Sequence, residues 1–146
     1  METKIGDILY AVVYKDNVPH VVRGRVEHIS KIAGINPRVR GPSAWKKSEM
    51  PVFSRWRATK IEAIDVAVES LDHWIGYGER ALAENETKLV AARMDVHSAG
   101  NGCSHDPNWV WRSYDRSVVQ HKVSLASDFA LRKALFTLLA DALTAS

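Results

Sequence analysis

Cysteine is almost missing from this chain: Cys103 is the one cysteine in 146 residues. A lone thiol excludes an internal disulfide and fits a reducing compartment. Long apolar runs are missing as well. No segment approaches the length that spans a bilayer, and Met1 to Asp7 is polar, without the apolar stretch of a signal peptide. The expectation is a cytoplasmic protein with no membrane partner. Internal repeats, low-complexity tracts and complete catalytic signatures do not occur. Acidic residues are scarce in one region. Between Arg23 and Lys60, ten basic residues stand against only Glu27 and Glu49, a net of +8. From Ile61 to Val96 the balance reverses to −5, with eight acids against Arg80, Lys88 and Arg93. The basic stretch either lies along the acidic one and is neutralised, or faces outward to a polyanion.

What is present is an ordinary globular mixture, 46% apolar and 25% charged, enough for one domain with a real core. The expected organisation is α+β in a single domain spanning 1–146. It comprises a small N-terminal antiparallel β-unit with a basic loop (1–58), a long helix (59–96), and a loop with C-terminal helices (97–146).

The long helix carries the clearest periodicity. Ile61, Val68, Ile75, Leu82, Leu89 and Val96 recur every seventh residue. Ile64, Leu71, Gly78, Asn85 and Ala92 fall in the second slot. That alternation of three and four keeps one stripe apolar. Thr59 followed by Glu62 reads as a capping box at its start. At about 1.5 Å per residue, Lys60 to Val96 would run about 55 Å, longer than the roughly 35–40 Å of a compact domain this size. Either the helix breaks at Gly76–Gly78 and folds back, or its second half pairs closely with another helix. The expected partner is a second copy, giving a homodimer through 59–96, with Asn85 fixing the register.

Ile8 to Tyr14 is nearly all apolar and rich in β-formers, the pattern of a strand covered on both faces. Lys15-Asp16-Asn17 is turn chemistry. From His20 to Ile29, Val22, Gly24 and Val26 point one way and Arg23, Arg25 and Glu27 the other, with Gly24 a candidate bulge. These two strands make a hairpin, and Val52 to Arg57 is the best candidate for a third strand, since a hairpin alone is marginal. Ala33 to Pro51 reads as a long surface loop, a length often tied to function. Toward the C-terminus, Asp106-Pro107 is a helix start with Trp111, Tyr114 and Val118 at helical spacing; a hairpin of 109–113 with 118–123 is the alternative. Ser127 reads as the cap of a last helix reaching about Leu143.

The strongest functional signal is the basic arm with interleaved aromatics: Arg38, Arg40, Trp45, Lys46, Lys47, Arg55, Trp56 and Arg57. Cations contact phosphates and flat rings stack on bases. The alternative is that Trp45 and Trp56 anchor a core while the flanking charges are solvated. His97, Cys103, His105 and Asp106 lie within ten residues, but zinc-ligand spacings are absent. No orienting acid or oxyanion donor supports Cys103 as a nucleophile. Gly100-Asn101-Gly102 matches no phosphate-loop fingerprint. No catalytic residue, metal or cofactor is expected. Trp74 reads as core or helix interface, and Trp109 and Trp111 as pocket or partner-binding candidates. His20, His28, His73 and His121 read as structural.

The opening Lys4-Ile5-Gly6-Asp7-Ile8-Leu9-Tyr10 and the ending Leu131-Arg132-Lys133-Ala134-Leu135 resemble small accessory proteins encoded by bacteriophages. That resemblance implies a small β-unit ahead of helices and a non-enzymatic inhibitor of host defence. Such an inhibitor would block a host nucleic-acid-handling protein or sequester a nucleotide signal. No functional residue is carried over from it. The expected function is therefore binding of nucleic acid or nucleotide through the arm, with a phage-type inhibitor of a host protein as the alternative.

Overall fold

The computed structural model describes residues 2–98 and 108–145. Its order is β1 (Ile8–Lys15), β2 (Val18–His28), β3 (Arg38–Arg40), α1 (Lys60–Ser98) and α2 (Asn108–Thr144), with 3-10 turns at Lys47–Glu49 and Phe53–Arg55. A three-stranded antiparallel sheet followed by two helices makes the fold α+β. The chain divides into two compact units, Met1–Leu71 with Leu131–Ser146, and Asp72–Ala130.

In the first unit, β1 and β2 are joined by Asp16 and Asn17, both at positive φ (53° and 59°). Two such residues make the hairpin turn whose twist matches the strands. The turn sets the register, with Ala11 opposite Val22 and Leu9 opposite Gly24. One sheet face therefore carries Leu9, Ala11, Val13, Val22 and Val26, all buried, and Trp56 packs with them. Ile29, Val39, Trp45, Met50 and Phe53 close over this cluster, so the stretch expected to be a surface loop is the lid of a small core.

The third strand is not Val52–Arg57. β3 supplies it, pairing Arg40 with Arg25 and Val39 with Val26 on the edge of β2. Phe53–Arg55 winds instead into a 3-10 turn, and only Arg57 joins the sheet, on the other edge. Tyr10 N donates to Arg57 O at 2.7 Å and Arg57 N to Tyr10 O at 2.8 Å. Nor does Gly24 mark a bulge: the irregularity lies between Val26 and His28. Gly24 is small because a Cβ there would stand 2.5 Å from Val39 Cγ1 and 2.6 Å from the Trp56 ring. The first turns of α1 and the last of α2 complete this unit, with Ile64 and Leu135 fully buried. Val21, Ile61, Ile64, Leu138 and Ala142 line an apolar cleft of about 570 Å³ there. The Thr59 hydroxyl accepts from Glu62 N at 3.2 Å, the Thr59 half of the expected capping box.

In the second unit, α1 continues through Gly76 and Gly78 without a break. Its partner there is α2 of the same chain. A Cβ on Gly78 would lie 3.0 Å from Leu125 Cδ2, so the glycine lets the helices approach closely. Arg93 reaches Asp115 at 3.8 Å and Lys122 reaches Glu86 at 3.8 Å across the pair. Asn85 does not reach across; its Nδ2 donates to Ala81 O of its own helix at 2.8 Å. α2 runs through Ser127, where a cap was expected. A seven-residue stripe explains the continuity: Val118 and Leu125 are buried, as is Leu135. His121, Asp128 and Arg132, at the slots between, are partly buried and hide the stripe in the sequence.

Two glycines respond oppositely to alanine. Gly24→Ala should cost about 1–3 kcal/mol through overpacking against Val39 and Trp56. Gly76→Ala, whose Cβ would meet only Arg80 Nη1 at 3.5 Å, should gain up to about 1 kcal/mol of helix propensity. Urea unfolding followed by far-ultraviolet circular dichroism measures both.

Candidate anion-binding surface

Alternation along the strands sorts the arm residues. Arg38 and Arg40 are exposed and flank Val39, which turns toward the core. Gly41, Pro42 and Ser43 then carry the chain round to Trp45. With Lys47, Met50 and Glu27 these residues line a cleft of about 340 Å³. Arg38, Arg40, Trp45 and Lys47, four of the eight sequence-selected residues, are thus gathered in one place. Its one carboxylate, Glu27, is taken by Arg40 Nη1 at 3.3 Å. Among the described residues this is the arm's only ion pair. Lys46 is exposed outside the cleft, and its backbone N donates to Glu49 Oε1 at 2.8 Å.

The other sequence-selected residues hold the arm in place. Trp56 is 4% exposed and belongs to the core. Arg57 folds back, its Nη1 donating to the carbonyls of Ser54 and Trp56. Arg55 donates to the Ser70 hydroxyl on α1 at 3.3 Å. Burial pushes the nearby Tyr14 hydroxyl above the ordinary tyrosine pKa, and Arg55 opposes that shift. Trp45 is half-buried: its ring meets His20 edge-on at 5.4 Å and carries Lys15 Nζ at 5.5 Å. One indole is thus spent on packing, and the other keeps only part of a face.

The same alternation exposes two arginines that the sequence selection left out. Arg23 and Arg25 stand on the sheet face opposite the Trp56 core, and Arg25 is the direct cross-strand neighbour of Arg40. The signal was available as Arg-x-Arg triplets at 23–25 and 38–40, of the same form as the one at 55–57. Without the register nothing placed them side by side.

In the second unit, Trp74 was expected in a core or helix interface, yet it is 57% exposed and Tyr77 is 56% exposed. Their rings meet edge-on at 6.0 Å, and His73 flanks Trp74 at 5.8 Å. Trp111 lies between Arg93 and Arg112, at 5.2 and 5.7 Å. The side chains of His97, Cys103, His105 and Asp106 lie outside the described residues, as does Gly100-Asn101-Gly102. Among the described residues no group of three His, Cys, Asp or Glu could hold a metal, and no helix is long and apolar enough to cross a membrane. Comparison with protein-family models, curated proteins and solved structures finds no match to the chain.

The two classes of arm residue should separate by stability. Trp56→Ala should cost about 3–5 kcal/mol, as a large core truncation does. Arg40→Gln, which breaks one exposed ion pair, should cost less than about 1 kcal/mol. The shift in denaturant midpoint decides between them.

Proposed function

We propose that this protein is a non-enzymatic binder of a polyanion, nucleic acid or nucleotide, which it takes on the basic surface of its β-unit. The observation that supports this reading is the charge count around β3. Arg38, Arg40 and Lys47 line one cleft, and the single carboxylate there is already paired. Exposed guanidinium groups in excess of local acids are the electrostatic footprint of phosphate recognition. Lys46 adds charge beside the cleft, whereas Trp56 contributes through the fold. This role needs no metal, cofactor or catalytic group. The same reading places the protein in the cytoplasm, where a lone thiol stays reduced.

A second reading, a phage-type inhibitor that docks on a host nucleic-acid-handling protein, draws on the second unit. Trp74 and Tyr77 form an exposed aromatic pair, and such residues are enriched in protein interfaces. A homodimer through α1 would use this pair or the exposed Val90 and Met94, because in the second unit the stripe residues Leu89 and Ala92 are already buried.

Filter binding with a fluorescent oligonucleotide and with a labelled nucleotide, at low and moderate salt, tests the leading reading. The parent should bind, with affinity falling steeply as salt rises. Arg38→Gln/Arg40→Gln/Lys47→Gln should bind at least ten-fold more weakly, with its fold intact by circular dichroism. Absence of binding to both probes, or equal binding by the triple variant, overturns the reading. A stable complex with a host protein that Trp74→Ala/Tyr77→Ala abolishes would favour the inhibitor.

A further inference from the structure

We infer that the anion site extends beyond the cleft along the exposed, arginine-bearing part of the β2 and β3 face opposite Trp56, as a track for a nucleic-acid strand rather than a pocket for one nucleotide. This inference rests on the polyanion reading and selects within it. The track is made by Arg23 and Arg25 on β2 and Arg40 and Arg38 on β3.

Antiparallel register fixes their arrangement. Arg25 lies opposite Arg40, and Arg38 lies opposite His28. Residues two apart on a strand share a face about 6.8 Å apart. From the level of Arg23 to that of Arg38, five residues along β2, the arginines therefore cover about 17 Å. All four are exposed. Among the described residues Arg23, Arg25 and Arg38 make no ion pair, and Arg40 has only Glu27. Like charges directly opposite across strands are destabilising, so the sheet bears a cost that an anionic polymer would relieve.

The ligand class follows from reach. A nucleic-acid strand carries a phosphate for about every 3.4 Å of duplex axis, so a run of several nucleotides engages all four guanidinium groups. The phosphates of a mononucleotide cluster at one point and engage one end of the track. Recognition is by phosphate, and it therefore tolerates many sequences.

The experiment titrates the full-length chain with thymidine monophosphate and with oligothymidylate of about twelve nucleotides over a range of salt. The oligomer should bind at least a hundred-fold more tightly than the monomer. Four contacts predict a slope of log affinity against log salt near −2.8, about −0.7 per phosphate on a single strand. Arg23→Gln/Arg25→Gln should flatten the slope by about 1.4 and weaken oligomer binding at least ten-fold, while melting no lower than the parent. Arg23→Lys/Arg25→Lys, which keeps the charge, should restore the slope. Monomer binding as tight as oligomer binding overturns the inference. So does a glutamine variant that binds the oligomer as the parent does, or a lysine variant that leaves the slope flat. In the first two outcomes the anion-binding reading survives at the cleft; absence of binding to both probes overturns that reading as well.

Discussion

The indole of Trp56 lies over Gly24, and that contact sets where the arm sits. The backbone bridge between Tyr10 and Arg57 brings the chain to the edge of β1. From there the ring reaches into the space where β2 has no side chain. Val39 closes on the same glycine, drawing β3 to the other edge. One missing Cβ thereby fastens both ends of the segment from Arg38 to Arg57. A lid secured at both ends can hold charged residues at fixed positions, which a free loop of that length could not.

Much of the β-unit was legible because its rules are local. The apolar run at Ile8–Tyr14, the alternation through Val22, Gly24 and Val26, and the Asp16-Asn17 turn each specify conformation without distant partners. The third strand was not legible. Arg38-Val39-Arg40 is too short to show a period, and Pro37 and Gly41 make it look like loop. Val52–Arg57 has the composition of a strand, but its task is to seat Trp56 and to offer one bridge through Arg57. Tertiary packing decided both cases.

The helices divide in the same way. The stripe of α1 was visible, but its partner was not. The matching stripe of α2 passes through His121, Asp128 and Arg132, polar residues that break the apolar signal at the slots where it was needed. Ser127 resembles a cap in isolation, yet no chain reversal follows it, and Leu125 before it is buried like Leu135 after it. Gly76 and Gly78 looked like a break because each costs about 1 kcal/mol in an isolated helix. Close approach of Leu125 offsets that cost at Gly78, whereas at Gly76 the continuous helix bears it. The candidate site was half legible. Residue type and charge selected the arm, but only strand register could separate the exposed Arg38 and Arg40 from the buried Trp56, or add Arg23 and Arg25.

The distribution of ion pairs bears most directly on function. In the helical unit, six charged side chains meet partners. Lys88 hydrogen-bonds Glu84 at 2.7 Å, holding that carboxyl below its ordinary pKa and raising the lysine. Arg93 meets Asp115, and Lys122 meets Glu86. The sheet shows the reverse, four arginines with one carboxylate. An exposed pair such as Arg40–Glu27 is worth at most about 1 kcal/mol, and an opposed pair such as Arg25–Arg40 offsets a similar amount. Glu84 and Glu86 are engaged within their own unit. The free chain must then hold its excess positive charge with mobile counterions. Their release on binding a phosphate chain would be the entropic gain that gives the proposed recognition its strength and its salt dependence.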